Sequence, residues 1–149
     1  MVAPTLSFEN EVFAKFAFYA GVVLLKTVIM SGWTARYRLP RGVFISSEDY
    51  VGRSGQTMKI DEDVERTRRC HLNDIENVLP FVLIGLLYVL TGPTVASATL
   101  HFRLFAGFRL FHTIAYMFIL PQPSRAIAFF VGFGVNISMA ITVIRAGMF

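Results

Sequence analysis

Charge is scarce in this sequence. Of 149 residues, 16% are Asp, Glu, Lys or Arg, against about 25% in ordinary soluble domains. Such a chain does not carry the charge of a normal water-facing surface. Cysteine is scarcer still: Cys70 is the single one, which excludes an internal disulfide. The charges present give a formal net charge of +4. They form no basic stripe of the nucleic-acid kind, so nucleic acid is not expected as a partner. The first apolar run has no basic n-region before it and no small-residue cleavage site after it, so it is expected to stay as an uncleaved span. Internal repeats and low-complexity tracts are also missing, and the length suits one domain.

What the chain has is apolar residues in long runs. They make up 54% of the sequence, and the mean hydropathy is positive. Four segments stand out. The first, about residues 12–33, is interrupted by Lys15 and Lys26. The second, about 78–90, is too short to span alone, because a span needs roughly 20 residues. It reaches that length only if its helix begins inside the polar run that precedes it. The third, about 95–120, carries His101, Arg103, Arg109 and His112. The fourth, about 126–149, is the cleanest, with FFVGFGVNISMAITVI at its centre. The expectation is an all-α membrane protein: a single four-transmembrane-helix bundle over 1–149, with helices at about 9–38, 64–91, 95–120 and 124–148.

The connections fit this division. Residues 39–63 hold Gly42, Ser46, Ser47, Gly52 and Gly55 among mixed charges, as an extramembrane loop does. TGPT at 91–94 reads as a tight turn, and the prolines of LPQPS at 120–124 forbid helix continuation. Arg36, Arg38, Arg41, Arg53, Lys59, Arg66, Arg68 and Arg69 lie in or beside the first loop, and Arg125 at the third. The positive-inside rule therefore predicts that the first and third loops face the cytosol.

The polar residues of the second segment are not scattered. Arg69, Asn73, Glu76 and Pro80 follow i, i+4, i+7, i+11, one face of a helix, while Leu72, Ile75, Leu79 and Leu86 fall on another. Pro80 cannot donate to the carbonyl of Glu76, which predicts a kink and a freed acceptor beside that face. On the third segment Arg109, His112 and Tyr116 share a face, and Arg103 points away, near enough to a helix end to snorkel. An ionisable group deep in a span costs about 3 kcal/mol. Two readings account for so many. One is a structural ion-pair network of Arg69, Glu76 and Arg109. The other is a pocket open to the cytosol for an anionic ligand. The cations outnumber Asp74 and Glu76, which favours the pocket, and arginine suits bidentate recognition of carboxylates.

The runs VERTRRCHLNDIENVLPF, HFRLFAGFRLFHTIAY and LPQPSRAIAFFVGFG, together with Lys26, Arg38 and the FISSED segment, closely resemble the microsomal glutathione transferase family. This family belongs to the superfamily of membrane-associated proteins in eicosanoid and glutathione metabolism, MAPEG. The resemblance covers nearly the whole chain. It implies a four-helix subunit assembled as a homotrimer, multi-pass in the endoplasmic reticulum membrane, with the mitochondrial outer membrane as a second location. Glutathione would be the co-substrate, bound between adjacent subunits.

By the resemblance, the glutathione contacts are Arg38, Arg68, Arg69, His71, Asn73, Glu76, His112, Tyr116 and Arg125, with Arg109 on the same third-helix face. Arginines would take the carboxylates of glutathione and Glu76 its ammonium. Arg125, assisted by Arg38, would be catalytic by favouring the thiolate, and Asp49 is an accessory candidate. The partners implied are hydrophobic electrophiles or lipid hydroperoxides dissolved in membrane lipid. Ala126, Phe129 and Leu72 follow the transferase pattern rather than that of the family's prostaglandin E synthases. Tyr50 stands where the mammalian transferase has the cysteine through which thiol reagents activate it, so that activation is not expected here. The alternatives are a glutathione-dependent prostaglandin E synthase and a non-catalytic tetraspan adaptor.

Overall fold

The computed structural model describes residues 5–52 and 59–148. Helix α1 spans Glu11–Arg41, α2 Glu62–Leu90, α3 Val95–Met117 and α4 Ser124–Gly147, with a 3-10 turn at Ser47–Tyr50. No strand occurs among the described residues. Arg53 and Gly55 of the first loop lie outside the described residues.

Each helix start has a local cause. The Asn10 side chain accepts from the Val12 amide, Asp61 accepts from the amides of Asp63 and Val64, and Thr94 accepts from Ser97. These short polar side chains satisfy amides that have no partner inside the helix. Helix α1 runs on to Arg41 through Pro40 in its last turn, and Gly42 then closes it in the left-handed conformation at φ 60°. The amides of Gly42 and Val43 bond back to Leu39 and Arg38, a glycine stop of the usual kind. Helix α2 begins at Glu62, well inside the polar run, and passes through Pro80 without a break. Helix α3 stops at Met117, ahead of the 120 suggested by its apolar run. Ile119 has a positive φ of 54°, and the Leu120 amide caps the carbonyl of Ala115 at 3.0 Å.

Three of the four helices, α1, α2 and α4, are long and apolar enough to cross a membrane. At 1.5 Å per residue each exceeds the roughly 30 Å of a hydrocarbon core. Helix α3 does not reach the same hydropathy, because Arg103, Arg109, His101 and His112 interrupt it.

The helices form a four-cornered bundle. Helix α1 packs on α2 and α3, α4 packs on the same two, and α2 meets α3 across the middle. Helices α1 and α4 stand at opposite corners without contact among the described residues. Aromatic rings fill the centre. Phe81 and Phe105 stack with centroids 3.9 Å apart, and Phe16 and Phe102 close around them. Gly85 makes room for Phe16, since a Cβ there would lie 2.5 Å from the Phe16 ring. The outer surface is apolar too: Phe18, Leu25, Val28, Leu79, Leu83 and Phe130 are all exposed. A surface of this kind suits lipid rather than water.

The neck of the first loop is clamped. Arg41 at the end of α1 reaches both Asp61, at 2.5 Å, and Asp63, at 3.0 Å, at the start of α2. Inside the loop the Phe44 amide donates to the Tyr50 hydroxyl at 2.9 Å.

Candidate functional site

The deepest polar residues form a buried cluster of two cations and one carboxylate. Asp74 of α2 and Arg109 of α3 are fully buried, and the Asp74 Oδ1 accepts from Arg109 Nη2 at 2.6 Å. Lys26 of α1 reaches the same oxygen at 2.5 Å and donates to the Thr113 hydroxyl at 3.0 Å. The cluster thus ties three helices together. Its geometry corrects the network expected of Arg69, Glu76 and Arg109. Arg109 turns to Asp74, while Arg69 and Glu76 are exposed on the outer face of α2. The reason is register. Asp74 lies on the helix stripe of Cys70, Val78, Phe81 and Gly85, all buried, whereas Glu76 is two residues on and so about 200° around the helix.

Sequence reasoning missed Asp74 as the carboxylate that Arg109 and Lys26 share. The signal was present. Lys26 falls three residues after Val23 and four before Met30 on the buried stripe of α1, and Asp74 sits between apolar core positions of α2. Charged residues on a core stripe have to pair with one another.

The expected site residues separate into three groups. Arg38 from α1 with Arg68 and His71 from α2 line a groove of about 410 Å³, closed by Ser31, Thr34 and Ile45. A smaller cavity of about 160 Å³ adjoins it through Arg38 and Arg68 and adds Lys59 and Glu65. Arg68 pairs with Glu65 at 3.0 Å. A second group sits where α3 ends and α4 begins. The Arg125 guanidinium lies over the Tyr116 ring, 4.8 Å from its centroid, and Tyr116 in turn contacts His112, with ring centroids 5.0 Å apart. The third group is the outer face of α2, with Arg69, Asn73 and Glu76 one above another. Arg69 and Glu76 make no side-chain hydrogen bond or ion pair among the described residues. The first two groups sit toward the bundle end formed by the close of α1 and α3 and the start of α2 and α4, and the third runs up to the middle of α2.

Arg38 and Arg125 are not brought together within one chain. They belong to α1 and α4, the corners that do not touch, and no described cavity contains both. Asp49 is exposed in the 3-10 turn. Cys70 is fully buried, with its sulfur 4.0 Å from the Thr113 hydroxyl.

Buried nitrogens without partners mark two of these groups. Arg38 Nε, Arg125 Nε and His112 Nδ1 are shielded from solvent and have no hydrogen-bond partner. A buried donor left unpaired costs roughly 1–3 kcal/mol; the central cluster carries such atoms too, at Asp74 Oδ2 and at Nε and Nη1 of Arg109. The donor set is rich in guanidinium groups, with one exposed carboxylate at Glu76. It fits a ligand that carries carboxylates and an ammonium.

The model of the MAPEG family matches residues 16–145. The chain belongs to the MAPEG family. It is 49% identical to a human protein named microsomal glutathione S-transferase 1, over 100% of this chain and 99% of that protein. The pig protein of the same name is 51% identical, over 95% of this chain and 94% of its own length. A horse protein named prostaglandin E synthase is more distant, at 32% identity over 97% of this chain and 95% of its own length.

Proposed function

We propose that this chain is a membrane-bound glutathione transferase that joins glutathione to hydrophobic electrophiles, with a glutathione-dependent peroxidase activity toward lipid hydroperoxides. The observation that carries the reading is the set of orphaned nitrogens of Arg38, Arg125 and His112 at one end of the bundle, in a chain about half identical over its full length to proteins named microsomal glutathione S-transferase 1. The lower identity to proteins named prostaglandin E synthase leaves the isomerase as the second reading.

Bound glutathione supplies a thiol whose pKa, like that of free cysteine, is about 8.5. The chain's part is to hold that thiol ionised beside the lipid. Arg125 is the residue for it. It lies in the first turn of α4, where helix amides and dipole also favour an anion, and its stacking on Tyr116 fixes the guanidinium. A cation close to the sulfur lowers its pKa and raises the thiolate fraction. Arg38, Arg68, Arg69, His71 and Asn73 offer donors to carboxylate and carbonyl oxygens, and Glu76 an acceptor to the ammonium. The exposed apolar helices keep electrophiles dissolved in lipid within reach.

We place all four helices across the membrane of the endoplasmic reticulum, with the mitochondrial outer membrane as a second location and the first and third loops cytosolic. Helix α3 can cross because its one deep arginine is paired with Asp74. The assembly is a homotrimer in which the Arg38 groove of one copy and the Arg125 group of the next form one site. The separation of Arg38 from Arg125, and Arg69 and Glu76 without partners among the described residues, support that arrangement.

The test is glutathione consumption by the detergent-purified protein with an activated aryl halide. The wild type is expected to turn over, and Arg125→Ala to lose at least about tenfold in kcat, the scale of a lost charge-assisted contact, while glutathione still binds. No consumption by the wild type despite glutathione binding would sink the transferase. Conversion of a prostaglandin endoperoxide without net consumption would then favour the isomerase.

A further inference from the structure

Arg109 is too deep to touch a ligand at the surface of the bundle, yet its guanidinium reaches the surface through another residue. The same Nη2 that meets Asp74 also donates to the side-chain oxygen of Asn73, at 2.9 Å. Asn73 is half-buried and belongs to the outer face of α2 with Arg69 and Glu76. A guanidinium only donates, so the amide atom that it meets has to be the oxygen. This removes the ambiguity of an asparagine side chain: with Oδ1 committed inward, the NH2 group is what remains to face outward. Asn73 therefore offers hydrogen-bond donors, not an acceptor, between Arg69 and Glu76.

The orientation of Arg109 is itself held. Asp74 Oδ1 receives both Arg109 and Lys26, and the Thr113 hydroxyl bridges Lys26 to the Arg109 carbonyl at 3.0 and 3.3 Å. Gly132 of α4 faces the Arg109 stem, and a Cβ there would meet its Cδ at an ordinary contact distance of 3.5 Å. Helices α1, α2 and α3 thus contribute to fixing one guanidinium.

We propose that Arg109, set by Asp74 and Lys26, is a positioning residue that locks the Asn73 amide with its NH2 toward the ligand. The selectivity that follows is for an acceptor group of glutathione, a carboxylate or peptide carbonyl, at that point of α2. This rests on the glutathione site proposed above.

The experiment is a double-mutant cycle on KM for glutathione, with an activated aryl halide as second substrate, using the full chain in detergent. Asn73→Asp keeps an oxygen for Arg109 and so keeps the fold, but loses the outward donors. Its KM is expected to rise about tenfold or more, the loss of a hydrogen bond to a charged group, with kcat at saturating glutathione within about twofold. Arg109→Gln is expected to raise KM by a similar factor, and Arg109→Gln on an Asn73→Ala background to add little. An unchanged KM for Asn73→Asp overturns the proposal, and so do additive effects of the two sites. A wild-type protein that binds no glutathione overturns the site itself, which is a different failure and is read before any variant is made.

Discussion

Gly85 and Gly132 look alike in the sequence, each a small residue in an apolar run, yet a Cβ would meet different surroundings at the two. At Gly85 it would press on the Phe16 ring at 2.5 Å, and Phe16 is already confined by Phe81 and Phe102. At Gly132 the nearest atoms stand at ordinary contact distance, 3.5 Å or more. Gly85→Ala should therefore lower stability by about 1–3 kcal/mol through overpacking, and Gly132→Ala by under about 1 kcal/mol. Thermal midpoints of the two variants in one detergent check this, and equal midpoints would count against it. The contrast was not legible in the sequence, because the partner of Gly85 comes from another helix. For Arg109 the signal was there but unused. Its face on α3 could be read from spacing, but the choice between two acids on α2 depended on which of them shares the stripe of Val78 and Phe81.

Helix α2 carries more than one kind of face along its 29 residues. Its buried stripe bears Asp74, its polar outer stripe Arg69 and Glu76, and Leu72, Ile75, Leu79 and Leu83 are exposed apolar residues. The polar outer stripe was legible because the period of 3.6 sorts residues without reference to any neighbour. The helix starts were legible in part, since Asp61 and Thr94 are short polar residues ahead of helical runs. The end of α3 was not, because Phe118, Ile119 and Leu120 are as apolar as the helix before them. Asp61 gives a pH prediction. Its carboxylate takes the Val64 amide and also pairs with Arg41, and both pull its pKa below the usual 3.8, with the amide the larger cause. A carboxylate with a depressed folded pKa contributes stability above its unfolded pKa and loses it as pH falls through the folded value. The midpoint gap between wild type and Asp61→Asn should then be constant from neutral pH down to about 4 and close below it. A gap that widens on acidification would contradict this sign.

At the scale of the molecule, the fold class was readable from composition, because apolar runs of membrane length leave few alternatives. The separation of the expected site residues Arg38 and Arg125 between corners of the bundle was not, since no sequence pattern states which helices stay apart. That division makes a test possible. Chains carrying Arg38→Ala and chains carrying Arg125→Ala should each lose at least about tenfold in glutathione consumption alone. Co-expressed, they should regain glutathione consumption, because an intact α1 groove of one copy can meet an intact α4 of another. Activity that stays as low in the mixed assembly, with both chains present, would place each site inside one copy. The pairing of Arg109 with Asp74 also bears on how the chain is made. Helix α2 leaves the ribosome before α3, so the carboxylate is already waiting when the arginine arrives. Reordering the gene to synthesise α3 first would present a membrane-insertion machinery with an arginine that has no counter-charge, on the helix least able to enter lipid alone.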